Sequence, residues 1–162
     1  MIVYGLKTKQ FPERFFEDVK EGDEVTPYAL TPYNLGKMTM WAAVHADFCA
    51  GHYDYKCAKE RFQQDAPFAY GMQIATYQSQ MITDWMGPWG MLKKFRSTTV
   101  HPTLDKDQVT CYGKVIKTYP KDEKEGYVEC ETRAQIQDGT IVGKGTATVI
   151  LRRKKDLELQ VM

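Results

Sequence analysis

The stretch from Tyr127 to Gln137 alternates with a period of two: Val128, Cys130, Thr132, Ala134 and Ile136 fall on one side, Glu129, Glu131, Arg133 and Gln135 on the other. Successive strand side chains point to opposite faces, so this pattern reads as an antiparallel strand with one dry face and one wet face. Asp138-Gly139 follows and reads as a primed hairpin turn, which needs positive φ. The return strand, Thr140 to Leu151, places Ile141, Gly143, Gly145, Ala147, Val149 and Leu151 together. Small residues on that face predict close approach by a helix or another backbone. A hairpin with one dry face must have something laid upon it, and the rest of the chain has to supply that element.

The candidate is the helix predicted over Gly71 to Met86. Met72, Ala75, Thr76, Ser79, Ile82 and Met86 trace a stripe, and the opposite side carries Ile74, Tyr77 and Met81. A helix apolar on nearly all sides is one that is wrapped. Gly87-Pro88-Trp89-Gly90 stops it. Further strands are expected from Phe95 to Val100 and from Gln108 to Tyr119, the latter with Val109, Cys111, Gly113 and Val115 on one side. Glu24 to Leu30 reads as extended, and Gly36 to Asp47 as a helix with Met38, Trp41, Ala42 and His45 on one face. The expected architecture is α+β: a single domain over residues 1–162, with an antiparallel sheet curled around one long helix.

With 22 basic and 21 acidic residues, the net charge of +1 excludes a broadly basic nucleic-acid binder. An aromatic content of 12% argues against disorder. No apolar run approaches the ~20 residues of a membrane span. The start carries charges where an export signal would be apolar, so a cytoplasmic protein is expected, with neither nucleic acid nor membrane as partner. Cys49, Cys57, Cys111 and Cys130 form no CxxC pair and read as reduced thiols. Arg152-Arg153-Lys154-Lys155 reads as a solvated end.

Of three histidines, His101 precedes a proline and reads as a loop residue, and His45 reads as a hydrogen-bonded core residue. His52 stands in DFCAGHYD between Asp47 and Asp54. Five residues apart on a continuous helix, Asp47 and His52 would point about 140° apart. A helix ending near Asp47, with Gly51 allowing the chain to reverse, lets both enter one cleft. Other readings exist. His45, Asp47 and His52 are ligand types that suit zinc or iron, but they follow no known ligand spacing. Cys49 can be read as a nucleophile or as a packed thiol. Asp47 can simply cap a local turn, with His52 incidental. Phe68-Ala69-Tyr70-Gly71-Met72 opens the long helix, whose first turn has free N–H groups and a partial positive charge.

Together these segments resemble the MaoC-like branch of the hot-dog fold, the R-specific enoyl-thioester hydratases and dehydratases. HADFCAGHYD aligns without a gap on the motif SGDxNPxH and its downstream acid: Asp47 falls on the catalytic Asp, His52 on the catalytic His and Asp54 on the acid. Ala69-Tyr70-Gly71-Met72 falls on the AHGM-like helix start, and Arg14 to Val25 looks like the family's opening. The chain departs at Cys49 for Asn, Ala50 for Pro, His45-Ala46 for Ser-Gly and Tyr70 for His. The resemblance implies reversible hydration of a 2-enoyl thioester of coenzyme A or a carrier protein. Asp47 would be the principal base, His52 its water-binding partner and Gly71 N–H the oxyanion donor, with Cys49, Tyr70 and Met72 beside the substrate. It implies neither cofactor nor metal. Homodimers or higher homo-oligomers are expected, or a heteromer with a second hot-dog chain. A non-catalytic or co-catalytic subunit and a thioesterase are the alternatives. Trp85, Trp89, Met81, Met86 and Met91 suit either a tunnel for a bulky acyl group or core, and core is preferred.

Overall fold

Five antiparallel strands and three α-helices make up the computed structural model, which describes residues 11–154. In chain order they are β1 (Glu24–Ala29), α1 (Leu35–His45), α2 (Tyr55–Phe62), α3 (Gly71–Met86), β2 (Gly90–Thr99), β3 (Thr110–Pro120), β4 (Glu125–Gln135) and β5 (Ile141–Arg152). The sheet order is β1-β3-β4-β5-β2, so β1 and β2 form its edges. The expected α+β architecture is the observed one.

The alternation of β4 sets the inner face. Val128, Cys130, Thr132 and Ala134 are all buried, as are Val109, Cys111 and Val115 toward and along β3, and Ala147, Val149 and Leu151 on β5. Across from them α3 buries Gln73, Ile74, Gln78, Met81, Ile82 and Trp85. This is not the stripe expected from the sequence. Of that stripe only Ile82 is buried, while Met72 is 66% exposed. The sheet covers one side of α3, and the helix's mixed polarity does not reveal which. Gly143 is one point of close approach between β5 and α3: an added Cβ would stand 3.1 Å from Ile74 Cγ2 and 3.3 Å from Gln78 Nε2.

The β4–β5 turn is not the primed turn expected. Gly139 N–H donates to Ile136 O at 3.0 Å and Ile136 N–H to Thr140 O at 3.0 Å, and the positive φ falls on Gly139 alone, at 93°. A three-residue loop that ends on a left-handed glycine satisfies strand twist equally well. His45 is also corrected. It is exposed, and it stacks on Trp41 with ring centroids 4.2 Å apart. Helix α1 ends there, beyond the shelter of the core.

Among the large residues near the end of α3, Met81 and Trp85 are core, whereas Trp89 and Met91 are 38% and 51% exposed. The basic segment after β5 is docked rather than simply solvated: Arg153 Nε lies 3.1 Å from Glu17 Oε1, and Lys154 pairs with Asp18. Lys155 lies outside the described residues. Among these residues no helix is long and apolar enough to cross a membrane.

Candidate active site

The loop from Ala46 to Asp54 is built by two local devices. Ala46 takes a left-handed φ of 53°, and Asp47 N–H donates to Ala42 O at 3.1 Å, so the backbone reverses at Ala46 rather than at Gly51. This is the hydrogen-bonded termination that commonly ends a helix. Gly51 has a different duty. It sits in a short 3-10 turn, Ala50–His52, where a Cβ would meet the Phe62 ring at 2.7 Å and that of Phe68 at 3.0 Å. The aromatic pair presses directly on the backbone and so sets the height of the next residue, His52. Asp54 then caps α2, its Oδ1 accepting from Cys57 N–H at 2.7 Å. Helix α2 is absent from the sequence reading, although Asp54 ahead of YKCAKERF is an N-cap signal that could have located it.

His52 is held on three sides. Its ring stacks on Tyr70 with centroids 3.6 Å apart, and Phe68 meets it edge-on at 4.6 Å. Nδ1 lies 2.6 Å from Phe68 O. A carbonyl oxygen can only accept, so Nδ1 carries the proton and donates; in the neutral ring Nε2 is then the unprotonated atom. The sequence shows no sign of Phe68 in this role, because its main-chain oxygen and not its side chain fixes the tautomer.

Tyr70 ties the remaining candidate to this ring. Its hydroxyl donates to Asp47 O at 2.6 Å. Burial pushes the phenol up to about 12, helped by the negative charge of Asp47, so it stays a donor at neutral pH. The Asp47 carboxylate is exposed and accepts from Cys49 N–H at 3.2 Å through Oδ1. The turn-capping reading of Asp47 is therefore correct as geometry, and it leaves Oδ2 without a described partner. Cys49 contributes this N–H and has a partly covered thiol.

An open cleft of about 400 Å³ lies beside these groups. His52, Phe68 and Gly71 line it together with Thr99, His101 and Pro102 from the end of β2 and just beyond. Gly71 opens α3, where the first N–H groups have no carbonyl one turn back to receive them. The structure thus brings His52 and Gly71 to one cleft, with Tyr70 packed behind. Asp47 is joined to the group through Tyr70 and is not among the lining residues, nor is the exposed Met72. Thr99 and His101 escaped the sequence reading as site residues because they arrive from a strand end distant in the chain. Among the described residues no three His, Cys, Asp or Glu side chains are gathered as a metal would need.

A long helix laid on this five-stranded antiparallel sheet, with the His52 loop folded against the helix start, is the hot-dog fold. No protein-family model matches the sequence, and no curated protein matches it. Solved structures do. The unliganded R-hydratase PhaJ1 from Pseudomonas aeruginosa is similar at a TM-score of 0.74 and 22% identity, over 86% of each chain. A MaoC-like dehydratase from Rhodospirillum rubrum is similar at 0.75 and 19%, over 87% of this chain and 98% of that one. The ChsH1-ChsH2 complex from Mycobacterium tuberculosis follows at 0.69 and 17%, over 82% and 98%. These likenesses establish the fold.

Proposed function

We propose that the chain catalyses reversible, R-specific hydration of a 2-enoyl thioester to a 3-hydroxyacyl thioester, carried on coenzyme A or a carrier protein. One observation carries this reading: an imidazole pinned through Nδ1 lines the same cleft as the first amide of a long helix. Addition of water to the β-carbon pushes the π electrons onto the thioester oxygen. The Gly71 N–H, with the positive end of α3 behind it, meets that charge. His52 Nε2 accepts the proton of the attacking water and then delivers it to the α-carbon, so the addition balances with one C–O and one C–H bond formed. Dehydration is the reverse. The pinned tautomer supports His52 as the base, the role that the sequence reading gave to Asp47. The resemblance gives Asp47 a place on the same water, which requires its exposed carboxylate to turn toward the cleft.

The test is a continuous ultraviolet assay with trans-2-enoyl-CoA thioesters from crotonyl-CoA to dodecenoyl-CoA. Wild type removes the enoyl absorbance without releasing thiol. His52→Ala lowers kcat/KM by about 10²–10⁴-fold, and Asp47→Asn lowers kcat. Thiol release would instead identify a thioesterase.

A second reading has one observation in its favour. The Asp47 carboxylate stands outside the cleft lining, as suits a co-catalytic or non-catalytic subunit of a two-chain dehydratase. It predicts an inactive isolated chain, and an assembled complex that stays fully active with both substitutions.

A further inference from the structure

Gly71 is commonly the kind of residue that lets a ligand approach a helix start, but here another group already occupies the space its side chain would fill. A Cβ on Gly71 would stand 2.6 Å from Thr99 Oγ1 and 3.4 Å from Thr99 Cβ. The β2–β5 register explains why. Phe95, Ser97 and Thr99 pair with Ala147, Gly145 and Gly143, the positions of β5 on the side of α3, so Thr99 lies on the helix-facing side of β2, at the exposed end of the strand beside the helix start. Its hydroxyl is engaged by no other described residue, and Thr99 lines the cleft with His52 and Gly71. The missing side chain at residue 71 thus makes room for the Thr99 hydroxyl against the start of α3.

We propose that Thr99 is a catalytic residue whose hydroxyl donates a second hydrogen bond to the thioester oxygen, beside the Gly71 N–H. The inference rests on the hydration reading above and adds a specific donor to it. An oxygen that becomes an enolate oxyanion gains most from donors already in place, since they need no reorganisation as the charge develops. A backbone amide is fixed. The threonine oxygen stands against the Gly71 backbone, and its O–H rotates to meet the acceptor. The amide comes from the start of α3 and the hydroxyl from the end of β2, so the packing of helix on sheet sets their separation.

Thr99→Val keeps the shape and removes the donor, whereas Thr99→Ser keeps the donor. Using the full chain and crotonyl-CoA, the valine variant is expected to lose kcat on the order of 10²-fold, with KM nearly unchanged. The serine variant is expected to recover most of the rate. A second readout does not need turnover: the infrared carbonyl stretch of bound, carbonyl-labelled butyryl-CoA should lie at lower frequency in wild type and Thr99→Ser than in Thr99→Val. Equal kcat in wild type and valine variant, or an equal fall in both variants, overturns the donor role; in either case the hydration reading stands as long as wild type hydrates the substrate and His52→Ala shows the large loss expected above. If wild type hydrates nothing, the carbonyl frequency decides. A shift lost in Thr99→Val retains the donor and discards hydration, while an unshifted carbonyl or no binding overturns both.

Discussion

At Tyr70 one phenol meets two demands: its ring covers the face of His52, and its hydroxyl reaches across to the main chain at Asp47. Neither His52 nor Asp47 contacts the other through a described hydrogen bond, so the geometry of the pair depends on this intermediary. Tyr70→Phe keeps the stack and deletes the hydroxyl bond. It should cost about 1 kcal/mol of stability, as the loss of one partly buried hydrogen bond generally does, read as a lower urea midpoint at unchanged slope. Because the ring remains, the Nδ1 bond to Phe68 and therefore the tautomer should persist, and nuclear magnetic resonance of the His52 nitrogens would show this. A change in the tautomer in that variant would mean that the hydroxyl, rather than the stack and the Phe68 carbonyl, sets the ring.

The elements that carry the site are held by backbone proximity. Where α3 crosses β5 at Gly143, the spacing is already tighter than an ordinary side chain accepts. Gly143→Val adds branched volume there and should destabilise the fold by about 1–3 kcal/mol, the usual cost of overpacking, measurable by thermal or urea unfolding. The same displacement moves Gly71 relative to Thr99, so activity should fall further than stability alone accounts for. At this scale the sequence was informative for strands and less so for helices. β4 was legible because its alternation is uninterrupted and one face is charged. The buried side of α3 was not, because Gln73 and Gln78 are buried while Met72 is exposed, and hydropathy alone inverts that choice.

For the molecule as a whole, two thiols deep in the core link folding to pH. Burial pushes Cys111 and Cys130 up to about 12 from an ordinary value of 9.0, and both are fully covered. Below pH 9 the folded and unfolded thiols are equally protonated, and their contribution to stability is intact. As pH rises from about 9 toward about 12 the unfolded chain ionises where the folded one does not, so stability falls across that window. Urea midpoints should drop steadily above pH 9, and the paired substitutions Cys111→Ala and Cys130→Ala should flatten the slope; an unchanged slope would assign it to other groups. From the sequence alone came the α+β class, the span of α3, the rough limits of β1, β3, β4 and β5, the second half of β2, and the two segments, around His52 and Gly71, that meet in the cleft. Periodicity and helix-stop residues are local signals, and they survive being read one residue at a time. Tertiary structure alone decided which side of α3 the sheet covers, that Phe68 O selects the tautomer of His52, and that Thr99 fills the space at Gly71. Each of these depends on what a distant part of the chain places against a residue, and no pattern along the chain encodes that distance.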